Sequence, residues 1–402
     1  MAGLIVYKRI LCALLILPLM LFAPGPVSAN VQSAVISMPD FQRGMCFVTW
    51  DKNQFSSSYS VKALEMLQGM GVEYLQVTIT LYQDRYNSTV IRETDSTPSD
   101  ASVKYVIKKA HDMGMKVMLK PHIDLIDNED GTYWRADIGF SREEDWEKWF
   151  SSYKEKIMHY AKMSEKLGVE IVCVGTELVF ASQKADYWRD IISSVRKVYS
   201  GKITYAANWD EYKGVTFWDQ LDFVGIDAYF PLTYKADPTL EDIKEGWNKW
   251  KGELEAWHRE VQKPIVFTEI GYSSAACAPS EPWKEGMGEP DLEIQANCYR
   301  AVFESLVGSP WLEGVYWWKW APTIYGGGAN NRNFTPLNKP AAQIVEAQYK
   351  TMKTAAGATR VAFAGNEVYQ QKSVIDRKMG QEKNGVYGMR EERMVESLKE
   401  KR

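Results

Sequence analysis

The 402-residue sequence predicts an α/β fold, a single (β/α)8 TIM barrel, on three observations. Short β-rich apolar runs alternate with longer amphipathic ones from Gly44 onward. The apolar runs number eight, and several are apolar nearly throughout, as strands of a parallel sheet covered on both faces must be. An open doubly wound sheet is the competing fold. It would announce a nucleotide site with a glycine-rich first turn, and the turn here, TWDKNQFSSSYS, has no glycine.

The strands are expected at MCFVTW (45–50), YLQVTIT (74–80), KVMLKP (116–121), EIVCVG (170–175), KITYAA (202–207), DFVGID (222–227), PIVFTE (264–269) and GVYWWKW (314–320). Helical periodicity occupies 57–70, 98–113, 142–167, 182–198, 239–260, 290–307 and 337–352. Between the fifth and sixth strands, 211–220 is short and carries the weakest helical pattern.

Ahead of the barrel, Lys8 and Arg9 precede the apolar run Ile10–Ala23, and Val27-Ser28-Ala29 supplies small residues for cleavage. That pattern reads as a secretory signal over residues 1–29, so an exported, periplasmic or extracellular protein is expected. An uncleaved anchor is disfavoured because the run is short for a membrane span and contains Pro18. The barrel domain is placed at 30–352, and the polar, mixed-charge stretch 353–402 is read as a disordered extension without assigned function. Removing the signal removes Cys12 and leaves Cys46 and Cys173 in strand-like runs, while Cys277 and Cys298 flank one loop and helix and are open to pairing.

A net charge of −4 offers no basic field for nucleic acid. The aromatic content, 13% with 15 Trp and 22 Tyr, suits clefts that stack flat rings against sugars, with the remaining rings in the core. A monomer acting on a saccharide, with neither membrane association after cleavage nor a cofactor, is the expectation.

In a barrel of this kind the loops that follow the strands converge on one mouth. The fourth strand ends at Glu177 and the seventh at Glu269, each preceded by Thr. A carboxylate closing an apolar run is costly to desolvate, which points to chemistry rather than structure. Strands four and seven stand nearly opposite each other, so the two can face one another as retaining glycoside hydrolysis requires, about 5–5.5 Å apart with one carboxyl kept protonated. Around them, His122 and Asp124 follow the third strand, Asn208, Trp209 and Asp210 the fifth, and Asp227 and Tyr229 the sixth. Trp134 lies in the long loop after the third strand, and Tyr272, three residues after Glu269, or a neighbouring Tyr is placed to orient that carboxylate. Strict alternation puts Trp318 and Trp320 on one side of the eighth strand and Trp317 on the other, with Trp320 best placed to stack at the cleavage site. The acidic cluster 127–130 lacks the spacing of a calcium loop, and no metal is required.

VGTEL (174–178), FTEIGY (267–272), KPHID (120–124), GIDAYFPL (225–232) and the Trp-rich eighth strand together resemble glycoside hydrolase family 113, a retaining β-mannanase family of (β/α)8 barrels. The resemblance runs from about Gly44 to Lys350. It implies hydrolysis of β-1,4-linked mannan or manno-oligosaccharides, with Glu177 as acid/base and Glu269 as nucleophile. The wider clan usually places Asn before the acid/base to hold the sugar 2-hydroxyl; Thr176 stands here, so that contact is weaker or comes from elsewhere, with Asn208 a candidate. Three alternatives stay open: a retaining hydrolase of another β-glycan, a non-catalytic carbohydrate-binding barrel, and a magnesium-dependent lyase or isomerase built on Asp124, Glu177 and Asp210.

Overall fold

The computed structural model describes residues 41–286 and 289–354; the expected signal segment (1–29) and nearly all of the C-terminal extension (355–402) lie outside the described residues. Eight strands form a closed barrel in sequence order: β1 (Gln42–Phe47), β2 (Tyr74–Gln83), β3 (Lys116–Leu125), β4 (Ile171–Thr176), β5 (Lys202–Asn208), β6 (Val224–Asp227), β7 (Ile265–Ile270) and β8 (Leu312–Trp320). Every neighbouring pair is parallel, β8 closing onto β1. This is the (β/α)8 barrel that the alternating runs predict.

The helices that connect the strands are α1 (Ser58–Gly69), α2 (Asp100–Asp112), α3 (Glu143–Leu167), α4 (Val179–Ser182), α5 (Ala185–Arg196), α6 (Leu240–Val261) and α7 (Leu292–Ser305), with a last helix, α8, over 340–354. The starts of α1, α2, α6 and α7 are fixed by side-chain caps. Ser57, Ser99 and Asp291 accept from the peptide N–H three residues on, and Thr239 with Asp242 forms a reciprocal capping box. Gly168 ends α3 in the left-handed conformation that glycine adopts without strain. Between β5 and β6 the weak pattern yields only a turn of 3₁₀ helix, Trp218–Gln220.

Two apolar layers result. The larger lies between strands and helices and takes most of the tryptophans, among them Trp149, Trp188, Trp247 and Trp317. The smaller fills the barrel with Cys46, Met118, Cys173, Ala206, Val266 and Tyr316. Gly44 makes room for it, since a Cβ there would come within 2.4 Å of the Tyr316 ring. Cys46, Cys173, Cys277 and Cys298 are all free thiols, so the pairing left open for Cys277 and Cys298 is absent.

Three register slips interrupt the barrel near its mouth. One extra residue enters β4 between Cys173 and Thr176, one enters β7 between Phe267 and Glu269, and one enters β8 between Trp317 and Trp320. The last overturns the expected alternation. With the extra residue, Trp317 and Trp320 are both buried, Trp317 stacking on Tyr299 of α7 at 3.9 Å, while Trp318 faces the mouth. Trp317→Ala should therefore lower stability by about 3–5 kcal/mol in chemical denaturation, the range for emptying a large aromatic site, while Trp318→Ala leaves the midpoint nearly unmoved.

Candidate active site

The deepest feature of the mouth is a buried cation. Lys120, on β3, points into the barrel with no exposure, and all three of its ammonium hydrogens are used. Its Nζ donates to Asp227 Oδ1 and Oδ2 at 2.9 and 3.0 Å and to Glu269 Oε1 at 2.7 Å. Burial disfavours its charge, but the two carboxylates outweigh that and raise the ammonium far above its ordinary range. Thr268 Oγ1 donates to Asp227 Oδ1 at 2.8 Å, so the slip in β7 turns both Thr268 and Glu269 toward this cluster.

Glu269 collects further partners. Tyr229 donates its hydroxyl to Oε2 at 2.8 Å, and His122 Nε2 lies 3.3 Å from Oε1, out of line for a good hydrogen bond. Burial alone would raise this carboxyl. Lys120 and His122 together reverse that and hold it well below the usual carboxylate range. His122 is itself pushed down to about 4, by burial first and by the charge of Lys120, so it is neutral near pH 7. Its ring lies parallel to Trp318 at 6.0 Å.

Glu177 sits under opposite influences. It follows the slip in β4 with φ +51°, a left-handed conformation unusual for a side-chain-bearing residue and characteristic of constrained functional sites. Burial pushes its carboxyl up to about 7, and the charge on Glu269 adds to the rise. Arg135 opposes it, donating from Nη1 to Glu177 Oε2 at 2.6 Å. That guanidinium is shared: it also pairs with Asp124 and donates from Nε to the Ile123 carbonyl at 2.9 Å. Its pull on Glu177 is divided, and burial prevails.

Glu177 and Glu269 line one open cleft of about 630 Å³ together with His122, Asp124, Trp134, Asn208, Trp209, Tyr229 and Trp318. Three expected site residues are not in it. Asp227 has no exposure and serves Lys120 instead of a ligand. Tyr272 is buried against Tyr299, because the chain turns away at Gly271 where a Cβ would meet the Trp318 carbonyl at 2.5 Å; the tyrosine that orients Glu269 is Tyr229. Trp320, turned by the β8 slip to the same side as Trp317, is buried in the layer between strands and helices. Thr176 is no substitute for the clan's Asn, since its hydroxyl donates to the Pro121 carbonyl at 3.3 Å, whereas Asn208 lines the cleft with its amide donating to Asp210 at 2.9 Å.

Sequence reasoning missed Lys120, Arg135, Trp50, Trp283 and Phe334, all but the first lining the cleft. Lys120 had a signal, a charged residue inside an otherwise apolar strand, which demands buried counter-charges. Trp283 stacks on Trp209 with ring centroids 5.9 Å apart and planes within 5°, and Trp50 carries the Lys319 ammonium 4.6 Å above its face. Arg135 occupies the point between Asp124 and Glu177, which leaves the metal-dependent alternative without its ligand set.

The Lys120 cluster predicts a pH-dependent stability change. In the native protein Glu269 is held low, so it contributes stability above the ordinary carboxylate pKa, and that contribution disappears only in acid. In Lys120→Met the same carboxyl lies beside Asp227 without a cation and rises, so stability is lost as pH climbs past about 4.3. The variant should be about 3–5 kcal/mol less stable near neutral pH, with a smaller deficit at acid pH, by urea denaturation across the range.

Residues 45–339 match the model of Glycoside Hydrolase Family 113. A β-1,4-mannanase of that family is 28% identical, covering 77% of this chain and 99% of its own, with a TM-score of 0.70. The β-mannanase AaManA from Alicyclobacillus acidocaldarius is 26% identical, covering 79% of this chain and 100% of its own, with a TM-score of 0.71. A β-glucuronidase from Ruminococcus gnavus, 12% identical over 77% of this chain and 49% of its own with a TM-score of 0.52, shares the fold alone. No curated protein matches the sequence. With eight parallel strands closed into a barrel and a carboxylate at the ends of β4 and β7, the chain belongs to Glycoside Hydrolase Family 113.

Proposed function

We propose that the protein is a retaining β-mannanase that cleaves β-1,4-linked mannan or manno-oligosaccharides by double displacement, with Glu269 as nucleophile and Glu177 as acid/base. One observation carries this reading: two buried carboxyls line a single cleft, and their surroundings drive them to opposite protonation states, Glu177 up to about 7 and Glu269 well below the usual range. The likeness to mannanases 26% and 28% identical over more than three quarters of the chain supports the choice of mannan. The basic and apolar N-terminal segment, Lys8 to Ala29, supports action after export.

In the first step the ionised Glu269 attacks the anomeric carbon while Glu177 gives its proton to the departing glycosidic oxygen. The sugar bound over Trp318 becomes an ester of Glu269, which loses its charge as the bond forms. Glu177, now ionised beside Arg135, then takes a proton from water, and the resulting attack frees the sugar with its original anomeric configuration. Lys120 contributes chiefly to this second step, because its attraction to Glu269 is regained as the ester breaks. Asn208 reaches the sugar 2-hydroxyl in place of the clan's Asn, and Trp50, Trp134 and Trp283, each two-fifths or more exposed, offer faces to further sugar units.

Hydrolysis of a panel of manno-, gluco- and xylo-oligosaccharides, with the product anomer followed by NMR, should show the β-anomer first and manno-oligosaccharides preferred; α-anomer first, or no turnover of any, defeats the proposal. The rate on oligosaccharides should fall as pH rises through about 7, where Glu177 loses the proton it donates. Glu269→Ala should reduce turnover by more than about 10⁴-fold with the fold intact, and azide should restore turnover of activated aryl glycosides to Glu177→Ala.

A further inference from the structure

One buried acid is left over by that mechanism. Glu211, in the loop after β5, is 4% exposed, and among the described residues no ion pair involves it. A carboxyl so placed is costly to keep, and burial pushes it up to about 7. Its partners explain what it does. Its Oε1 accepts from the Tyr205 hydroxyl at 2.7 Å, and its Oε2 from the Asn208 peptide N–H at 2.9 Å. The Tyr205 hydroxyl in turn accepts from the peptide N–H of Leu178, the residue after Glu177, at 2.9 Å.

We infer that Glu211 and Tyr205 are positioning residues for the acid/base: a buried hydrogen-bonded chain from the Glu211 carboxyl through the Tyr205 hydroxyl to the Leu178 N–H holds the turn that presents Glu177. The inference rests on the assignment of Glu177 as acid/base.

The turn needs holding, because Glu177 has φ +51°, a conformation that a side-chain-bearing residue keeps only where its surroundings enforce it. Two peptide groups do so. The Glu177 N–H is tied to the Ala206 carbonyl at 2.8 Å, and the Leu178 N–H is tied to Tyr205. The position of the Tyr205 hydroxyl is set by packing. Its ring lies against Gly175, where an added Cβ would stand 2.7 Å from the Tyr205 ring and 2.6 Å from Trp188, and it meets Trp188 edge-on at 5.2 Å. The same Glu211 carboxyl fixes the Asn208 N–H, so one group sets the backbone beneath the acid/base and beneath the proposed contact to the 2-hydroxyl.

The test compares kcat/KM on two substrates. An oligosaccharide has an alcohol leaving group that needs the proton of Glu177; a dinitrophenyl glycoside of the same sugar has a leaving group that does not. Tyr205→Phe and Glu211→Gln should each lose about 10- to 100-fold on the oligosaccharide, the scale of a small misplacement of a catalytic group, and less than about 3-fold on the dinitrophenyl glycoside. Tyr199→Phe removes a comparable buried hydroxyl, one that donates to the Val169 carbonyl at 2.7 Å at the far end of the barrel, and should leave the ratio of the two substrates unchanged. Equal losses on both substrates, or no loss on either, would overturn the inference. Should Tyr205→Phe not fold, the ratio for Glu211→Gln decides in the same way. Glu177→Ala separates the two claims: if it lacks the same selective loss, the acid/base assignment itself fails.

Discussion

A single ammonium, that of Lys120, sits between two carboxylates inside the barrel, and the chemistry of the mouth depends on it. Three strands supply the cluster: β3 gives the cation, β6 gives Asp227, and β7 gives Glu269. One cation cannot fully compensate two buried anions, and the competition is settled by the remaining partners. Glu269 has Tyr229 and His122 in addition and is driven to the ionised form, while burial and the charge of Glu269 push Asp227 upward. Once Glu269 is fixed as an anion, its field adds to burial at Glu177 and helps to keep that carboxyl protonated. Opposite states in one cleft thus follow from where a lysine is placed, with no difference in the intrinsic acidity of two glutamates.

Backbone irregularity carries the rest. A strictly regular barrel would send alternate residues inward and outward to the very ends of its strands. Slips in β4 and β7 come just before Glu177 and Glu269, and one in β8 turns Trp318, rather than Trp320, to the cleft. After the slip in β4, Glu177 takes a left-handed conformation, so its carboxyl is presented by a turn and not by a strand. Such a turn must be tied down by hydrogen bonds that a glance at the cleft would not reveal.

Much of this was legible in the sequence, and the physical reason is periodicity. Apolar runs such as IVFT and IVCVG are visible because a parallel sheet covered on both faces needs them, and the carboxylates that close them stand out for the same reason. His122, Asn208, Tyr229 and Trp318 came out at the cleft because they lie in the last residues of β3, β5 and β8 or just past β6. The misplaced residues fail through the slips and through burial. Trp320 was read by an alternation that an inserted residue breaks, Tyr272 lies past a turn made at Gly271, and Asp227 falls one layer too deep. Arg135 belongs to a long loop whose path no local pattern encodes, and only the folded chain shows that it joins Asp124 to Glu177.

The division of protonation between the two glutamates can be measured directly by following carboxyl carbon resonances in protein labelled at glutamate, assigned with Glu177→Gln and Glu269→Gln. The Glu177 resonance should titrate at about 7, with the Glu269 resonance remaining that of a carboxylate throughout the range in which free glutamate protonates. Titration in the reverse order, with Glu269 holding its proton to neutral pH, would contradict the account.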